Sequence, residues 1–146
     1  MKYIPIIAFG VSTFVQLMCP VRIGAEEPPD AAAKARSAAA KAKSAAAGVS
    51  GVCQALNTYL REYGAVPVGN AAQIMDALTS GNNVNRIIFL AARRESFNAK
   101  GEFIDPWGTP LRIGKSESGV PWVYSFGENG IDEGGVESSD DIASWR

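Results

Sequence analysis

The sequence predicts an α+β domain in which a long helix lies on a small antiparallel sheet. Two patterns carry this expectation. Val49, Val52, Cys53, Leu56, Tyr59, Leu60 and Tyr63 recur at spacings of three and four, which gives one apolar stripe on a helix. Trp122, Tyr124 and Phe126 alternate, which puts three aromatic rings on one face of a strand. The helical pattern comes first and the strands come late, with no internal repeat, so helix and sheet form separate layers.

The helix begins upstream of its apolar stripe. Glu26-Glu27-Pro28-Pro29-Asp30 reads as a helix entrance: the prolines stop a preceding helix, Asp30 can cap, and the acids suit the positive N-terminal pole. From Ala31 to Ala47, 11 of 17 residues are Ala, the residue with the highest helix propensity. Lys34, Arg36, Lys41 and Lys43 are the only charges there. With no large apolar residue, this segment predicts a protruding stalk about 25 Å long. Gly48 and Gly51 mark the junction with the core-facing half and are candidate kink points. Gly64 ends the helix, and Pro67 prevents its continuation.

Asn70 caps a short helix over Ala71 to Leu78, with Ile74, Ala77 and Leu78 as its inner side. Arg86 to Ala92 is apolar and of ambiguous type. Asn98-Ala99-Lys100-Gly101 is a turn with Gly at its last position. Asp105-Pro106-Trp107-Gly108 is a second turn, expected to pack the Trp107 indole on the long helix. Leu111-Arg112-Ile113 and Trp122 to Phe126 are the expected strands.

Composition excludes several function classes. The chain of 146 residues has no His, which removes Ser-His-Asp and Cys-His pairs, His metal sites and the commonest general base. There is no phosphate loop, Cys-x-x-Cys or dinucleotide fingerprint. The paired carboxylates, Asp132-Glu133 and Asp140-Asp141, are neighbours in one loop and ill placed to flank a sugar. The chain therefore reads as no enzyme. Residues 26–146 hold 12 bases against 15 acids, a net charge of −3, which is no footprint for nucleic acid.

The loop before the C-terminus is the chemically distinctive segment. No basic residue falls between Lys115 and Arg146, whereas six acids fall from Glu128 to Asp141, interleaved with Gly130, Gly134 and Gly135. Flexible loops of carboxylate, amide and carbonyl oxygens suit calcium. Acid-rich loops are also plain solvated turns, and the charge count leaves both readings open.

The order of the words around this loop resembles the C-terminal domain of the major pseudopilin of bacterial type II secretion. Asp105-Pro106-Trp107-Gly108-Thr109-Pro110 opens the resemblance. Tyr124-Ser125-Phe126-Gly127-Glu128-Asn129-Gly130 continues it, and Asp140-Asp141-Ile142-Ala143-Ser144-Trp145 closes it. Upstream, Leu56-Asn57-Thr58-Tyr59-Leu60-Arg61-Glu62-Tyr63-Gly64-Ala65-Val66-Pro67 is similar to the end of the family's first helix and the turn after it. The resemblance implies a pilin-like fold and a non-enzymatic structural or assembly role in the cell envelope. It also implies partners among secretion-system or other envelope proteins, or further copies of the chain. It implies a bound calcium ion, with Asn129, Asp140 and Asp141 as side-chain ligands and the carbonyl of Phe126 as a fourth. Asn129 stands where the family has Asp, so one negative charge is lost and a weaker site is expected. Asp132, Glu133 and Glu137 could add charge nearby but match no ligand position of the family. A second class of function keeps the domain only as a scaffold: an exported binding module whose basic stalk contacts an anionic partner. A monomer with salt-dependent binding to an anionic surface would mark that class.

Residues 1–25 depart from the family, whose leader ends in Gly and is followed by Glu at the fifth mature position. Here Gly10 is followed by Val11 and Val15, and no acid precedes Glu26. The segment reads as an export signal instead. Lys2 gives a positive start, Ile4 to Met18 is mainly apolar, and Ile23-Gly24-Ala25 is a small-residue cleavage site. The run of about 15 residues is short of the roughly 20 that span a bilayer. An uncleaved anchor, which would tether the chain to the membrane, and lipidation at Cys19 are the alternatives. The expected organisation is residues 1–25 as signal, 26–48 as basic Ala-rich stalk and 49–146 as pseudopilin-like domain, in the periplasm or cell envelope. Cys53 would be the one thiol left after cleavage, expected as a small buried hydrophobe on the helix stripe, with intermolecular pairing as the alternative.

Overall fold

A computed structural model describes residues 29–146. The expected signal and its cleavage site lie outside these residues. Helix α1 runs from Pro29 to Tyr63, helix α2 from Ala71 to Thr79, and a single 3₁₀ turn from Arg94 to Ser96. Strands β1 (Arg112–Lys115), β2 (Pro121–Ser125) and β3 (Ile142–Ala143) form an antiparallel sheet in the order β1-β2-β3. The architecture is α+β and pilin-like, with α1 laid on the sheet through β2 and β3. No helix among the described residues is long and apolar enough to cross a membrane.

Helix α1 starts with Pro29 in the first turn, where a missing N–H costs nothing, and Asp30 follows inside that turn. It continues through Gly48 and Gly51 without interruption. Gly64 closes it with a φ of 74° and an N–H to the carbonyl of Leu60 at 2.8 Å, a left-handed cap that only Gly adopts without strain. Burial along α1 begins at Ala45. Val49, Val52, Ala55 and Leu56 then meet Ile74, Met75 and Leu78 of α2, with Leu111 and Val123 from the sheet side. Met75 completes the inner side of α2, where the spacing pointed to Ala77; Ala77 is only half-buried. Asn70 caps α2 reciprocally: its side chain accepts from Gln73 N, and the Gln73 side chain accepts from Asn70 N.

The ambiguous segment after α2 is an extended connection without a ladder. Phe89 and Leu90 both donate their N–H groups to the Leu78 carbonyl, and both pack on the core. Phe89 meets the rings of Tyr59 and Tyr63 at 5.2 and 6.0 Å.

Two expectations about packing are corrected. Phe103, not Trp107, is the aromatic of its region that packs on the core; its ring lies against Gly48, where an added Cβ would come within 3.3 Å. Trp107 is half-buried, with its indole nitrogen shielded and unpartnered. Cys53 is half-buried rather than buried. It sits at the edge of the helix–sheet contact, with Sγ 4.0 Å from the Pro121 carbonyl.

The sheet's two faces differ. Val123 and Ser125 point inward and are fully buried. Trp122, Tyr124 and Phe126 share the other face, with neighbouring rings 5.8 Å apart. Trp145 joins them edge-on, 5.6 Å from Tyr124. Trp122 pairs across the ladder with Gly114, and its indole fills the space a side chain there would need. Strand β3 was not visible in the sequence, because two residues are too few to show a period.

Candidate metal centre

The loop from Phe126 to Asp141 is closed at both ends by the pairing of β2 with β3. Tyr124 faces Ala143 and Ser125 faces Ile142, so the residues just after β2 meet those just before β3. Gly127 makes the approach possible. Its φ is 67°, and a Cβ there would run into the carbonyl and carboxylate of Asp140. Asn129 N then donates to Asp140 Oδ2 at 2.9 Å.

Asp141 is the buried member of the site, 3% exposed. Its Oδ2 accepts from Gly135 N at 2.7 Å and from Glu133 N at 3.2 Å. Its Oδ1 is buried and has no hydrogen-bond partner. A carboxylate oxygen shielded from water without a donor costs free energy. Glu133 and Asp140 supply the company: one carboxylate oxygen from each of Glu133, Asp140 and Asp141 lies within 4.8 Å of the others.

The four residues named from the sequence are therefore distributed as follows. Asp140 and Asp141 come together. Asn129 lies beside Asp140 through its backbone, while its Oδ1 accepts from Ile131 N at 2.6 Å and its amide donates to Glu133 Oε2 at 3.3 Å. Phe126 stands at the head of the loop with its ring near Tyr124 and under the Arg112 guanidinium, 5.7 Å from the ring centre. Its carbonyl accepts no hydrogen bond among the described residues. Glu133 joins the carboxylate cluster although no sequence signal singled it out. It sits in an irregular segment between Gly130 and Gly134, where no period exists to place a side chain.

Asp132 is held apart from the cluster. Its Oδ1 accepts from the Tyr124 hydroxyl at 2.8 Å and from Gly134 N at 3.1 Å, and its Oδ2 lies 3.7 Å from Arg112 Nε. Burial of the Tyr124 ring, followed by its bond to this carboxylate, pushes the phenol above its usual range. Glu137 is exposed and makes no hydrogen bond among the described residues. The C-terminal Arg146 fastens the far side of the loop, donating to the carbonyls of Gly135 and Val136 and to Ser139 Oγ.

A second polar relay supports the loop from below. Asp105 is 5% exposed, and its Oδ1 accepts from Trp107 N and Thr109 N. Its Oδ2 accepts from Ser125 Oγ at 2.6 Å, and Ser125 Oγ in turn accepts from Gly127 N at 3.2 Å. The Asp-Pro-Trp-Gly turn is thereby tied through β2 to the first glycine of the acidic loop.

With this geometry in place, comparison with known families is decisive. The profile of the family described as type II secretion system (T2SS), protein G, matches residues 33–145. The chain belongs to this family. The match takes in most of α1, including the greater part of its Ala-rich half, together with α2, all three strands and the whole acidic loop. Membership in the protein G family ties the chain to type II secretion. No curated protein and no solved structure matches it.

Proposed function

We propose that the chain is a non-enzymatic, exported envelope protein of type II secretion whose C-terminal loop is stabilised by calcium. One observation carries the metal reading: the buried, unpartnered Oδ1 of Asp141 beside the carboxylates of Asp140 and Glu133. This donor set is all oxygen and acid-rich, which fits a hard cation. Asp140, Asp141 and Glu133 would hold the ion, joined by Asn129 Oδ1 once it releases Ile131 N and by the Phe126 carbonyl. The bound ion supplies positive charge where three carboxylates otherwise repel one another.

The residues themselves do the rest. Gly127 lets backbone approach Asp140, Gly135 leaves room for the Trp145 ring, and Asp141 organises the loop by accepting two of its N–H groups. The loop ends in β3, so ordering it also holds the last strand on the sheet. Ligand binding to the folded form alone then raises its stability by mass action.

The test is thermal unfolding in calcium, in chelator and in magnesium. Calcium should raise the melting temperature well above the chelator value, and magnesium should raise it less. Asp140→Ala or Asp141→Ala should remove the response, while Glu137→Ala should leave it intact. Equal melting temperatures in millimolar calcium and chelator would reduce the loop to a solvated turn. Export is tested separately, by sequencing the N-terminus of the protein recovered from the envelope fraction. A start at Glu26 supports it, and a start at Met1 or Val11 overturns it.

A further inference from the structure

We infer that the basic half of α1 docks on the acidic C-terminal loop of a second copy of the same chain. The inference stands on the separation of charge and does not depend on calcium. From Ala31 to Arg61 the chain contains no acid, and Lys34, Arg36, Lys41 and Lys43 are all exposed. From Ser116 to Trp145 it contains no base, and Glu128, Asp132, Glu133, Glu137 and Asp140 are exposed.

The basic half of α1 is unpartnered. None of the residues from Asp30 to Ser44 is buried. The one ion pair among the described residues joins Arg112 to Asp132, so no stalk base is paired with an acid among the described residues. This half of α1 extends from the core-anchored half without a buried face of its own, and a docked surface would stabilise it.

The stalk's own loop is badly placed to serve the far end of the stalk. It stands beside the root of the stalk, where Ala46 and Ser50 share a groove with Asp141 and Arg146. A straight helix carries Lys34 about 18 Å away from Ala46. Lys34 and Lys41, seven residues apart, share one side of the helix, and Arg36 and Lys43 share nearly the opposite side. Small Ala side chains between these rows let an acidic surface come close to the helix. The acidic loop of a second copy supplies that surface, with Glu128 and Glu137 free of hydrogen bonds and ion pairs among the described residues. The two surfaces differ, so the contact is heterologous.

The experiment uses the full chain in chelator, so that the loop keeps all its charge. Equal amounts of isotope-labelled and unlabelled chain are mixed and treated with a zero-length carbodiimide. Cross-links between labelled and unlabelled copies should join Lys34, Lys41 or Lys43 to Glu128 or Glu137. Sedimentation should show association weakening at least about tenfold between roughly 50 mM and 500 mM salt, as screening demands. Reversing the four bases together (Lys34→Glu, Arg36→Glu, Lys41→Glu, Lys43→Glu) should abolish both the cross-links and the salt-sensitive association. Circular dichroism of this variant checks that the helix persists. Glu128→Lys with Glu137→Lys should weaken association in a chain whose stalk is untouched. Cross-links confined to single copies, or association that survives both sets of reversals, would overturn the inference. So would a monomer that binds vesicles containing anionic lipid, since the stalk would then serve a membrane surface instead.

Discussion

Asp105 Oδ2 accepts a hydrogen bond of 2.6 Å from Ser125 Oγ, joining a turn to a strand twenty residues later in the chain. Both residues are buried, and the same carboxylate also accepts two backbone N–H groups. Replacing Asp105 by Ala strands three donors away from water. The expected loss is about 3 kcal/mol or more, read from urea unfolding, since a buried group left unpaired costs about 1–3 kcal/mol. Asp105→Asn keeps an acceptor and should lose less. Equal stability of Asp105→Ala and the parent would mean that water replaces the carboxylate.

Tyr124 gives a pH dependence with a defined sign. Its phenol is raised above the ordinary value by burial first and by the bond to Asp132 second. The folded state therefore holds the phenolic proton more tightly than the unfolded chain. The resulting stability is fully present below the unfolded phenol's pKa of about 10 and is lost as pH rises through the higher folded value. Unfolding measured from neutral to strongly alkaline pH should show this fall. In Tyr124→Phe the fall should be shallower, because no proton remains to be lost there. Identical slopes would remove the phenol from the account.

Gly114 should not accept a side chain. The Trp122 indole already occupies the position its Cβ would take, and the two residues face each other across the ladder. Gly114→Ala should displace the ring and cost about 1–3 kcal/mol, in the range for overpacking. Tryptophan emission should shift to the red as the ring leaves its neighbours Tyr124 and Trp145. Unchanged emission and stability would show that the indole has a second resting place.

Removing the basic half of α1 should change the stability of the isolated domain little. Its residues from Asp30 to Ser44 are not buried, and a buried CH₂ is worth only about 0.8 kcal/mol. A chain beginning near Ser44 should melt within a few degrees of the longer one at low protein concentration and high salt. A large drop would mean that the removed helix packs on the domain in solution.

The legibility of this fold followed the length of its patterns. The stripe from Val49 to Tyr63 spans four turns and fixed α1. The cap at Asn70 and the stop at Gly64 were visible because each uses one residue type for one backbone need. Packing partners were less visible. Phe103 and Trp107 sit four residues apart, and nothing local decides which ring faces Gly48. Asp140 and Asp141 were named as candidates because they belong to ordered words that resemble a family, whereas Glu133 lies in an aperiodic segment. Its nearness to them arises from the pairing of Tyr124 with Ala143 and Ser125 with Ile142, a long-range event that no local spacing records.

That same pairing makes the end of the chain a latch. Strand β3 contributes only two residue pairs, too few to hold a strand by its ladder alone. Ile142 packs on the core and Ser144 bonds Val123 through both its N–H and its hydroxyl, while Asp141 gathers the segment ahead and Arg146 ties down the segment behind. Whatever gathers or releases the acidic loop therefore acts on the sheet's last edge. The domain thus has a seam where the order of the acidic loop and the seating of Ile142 on the core are one event.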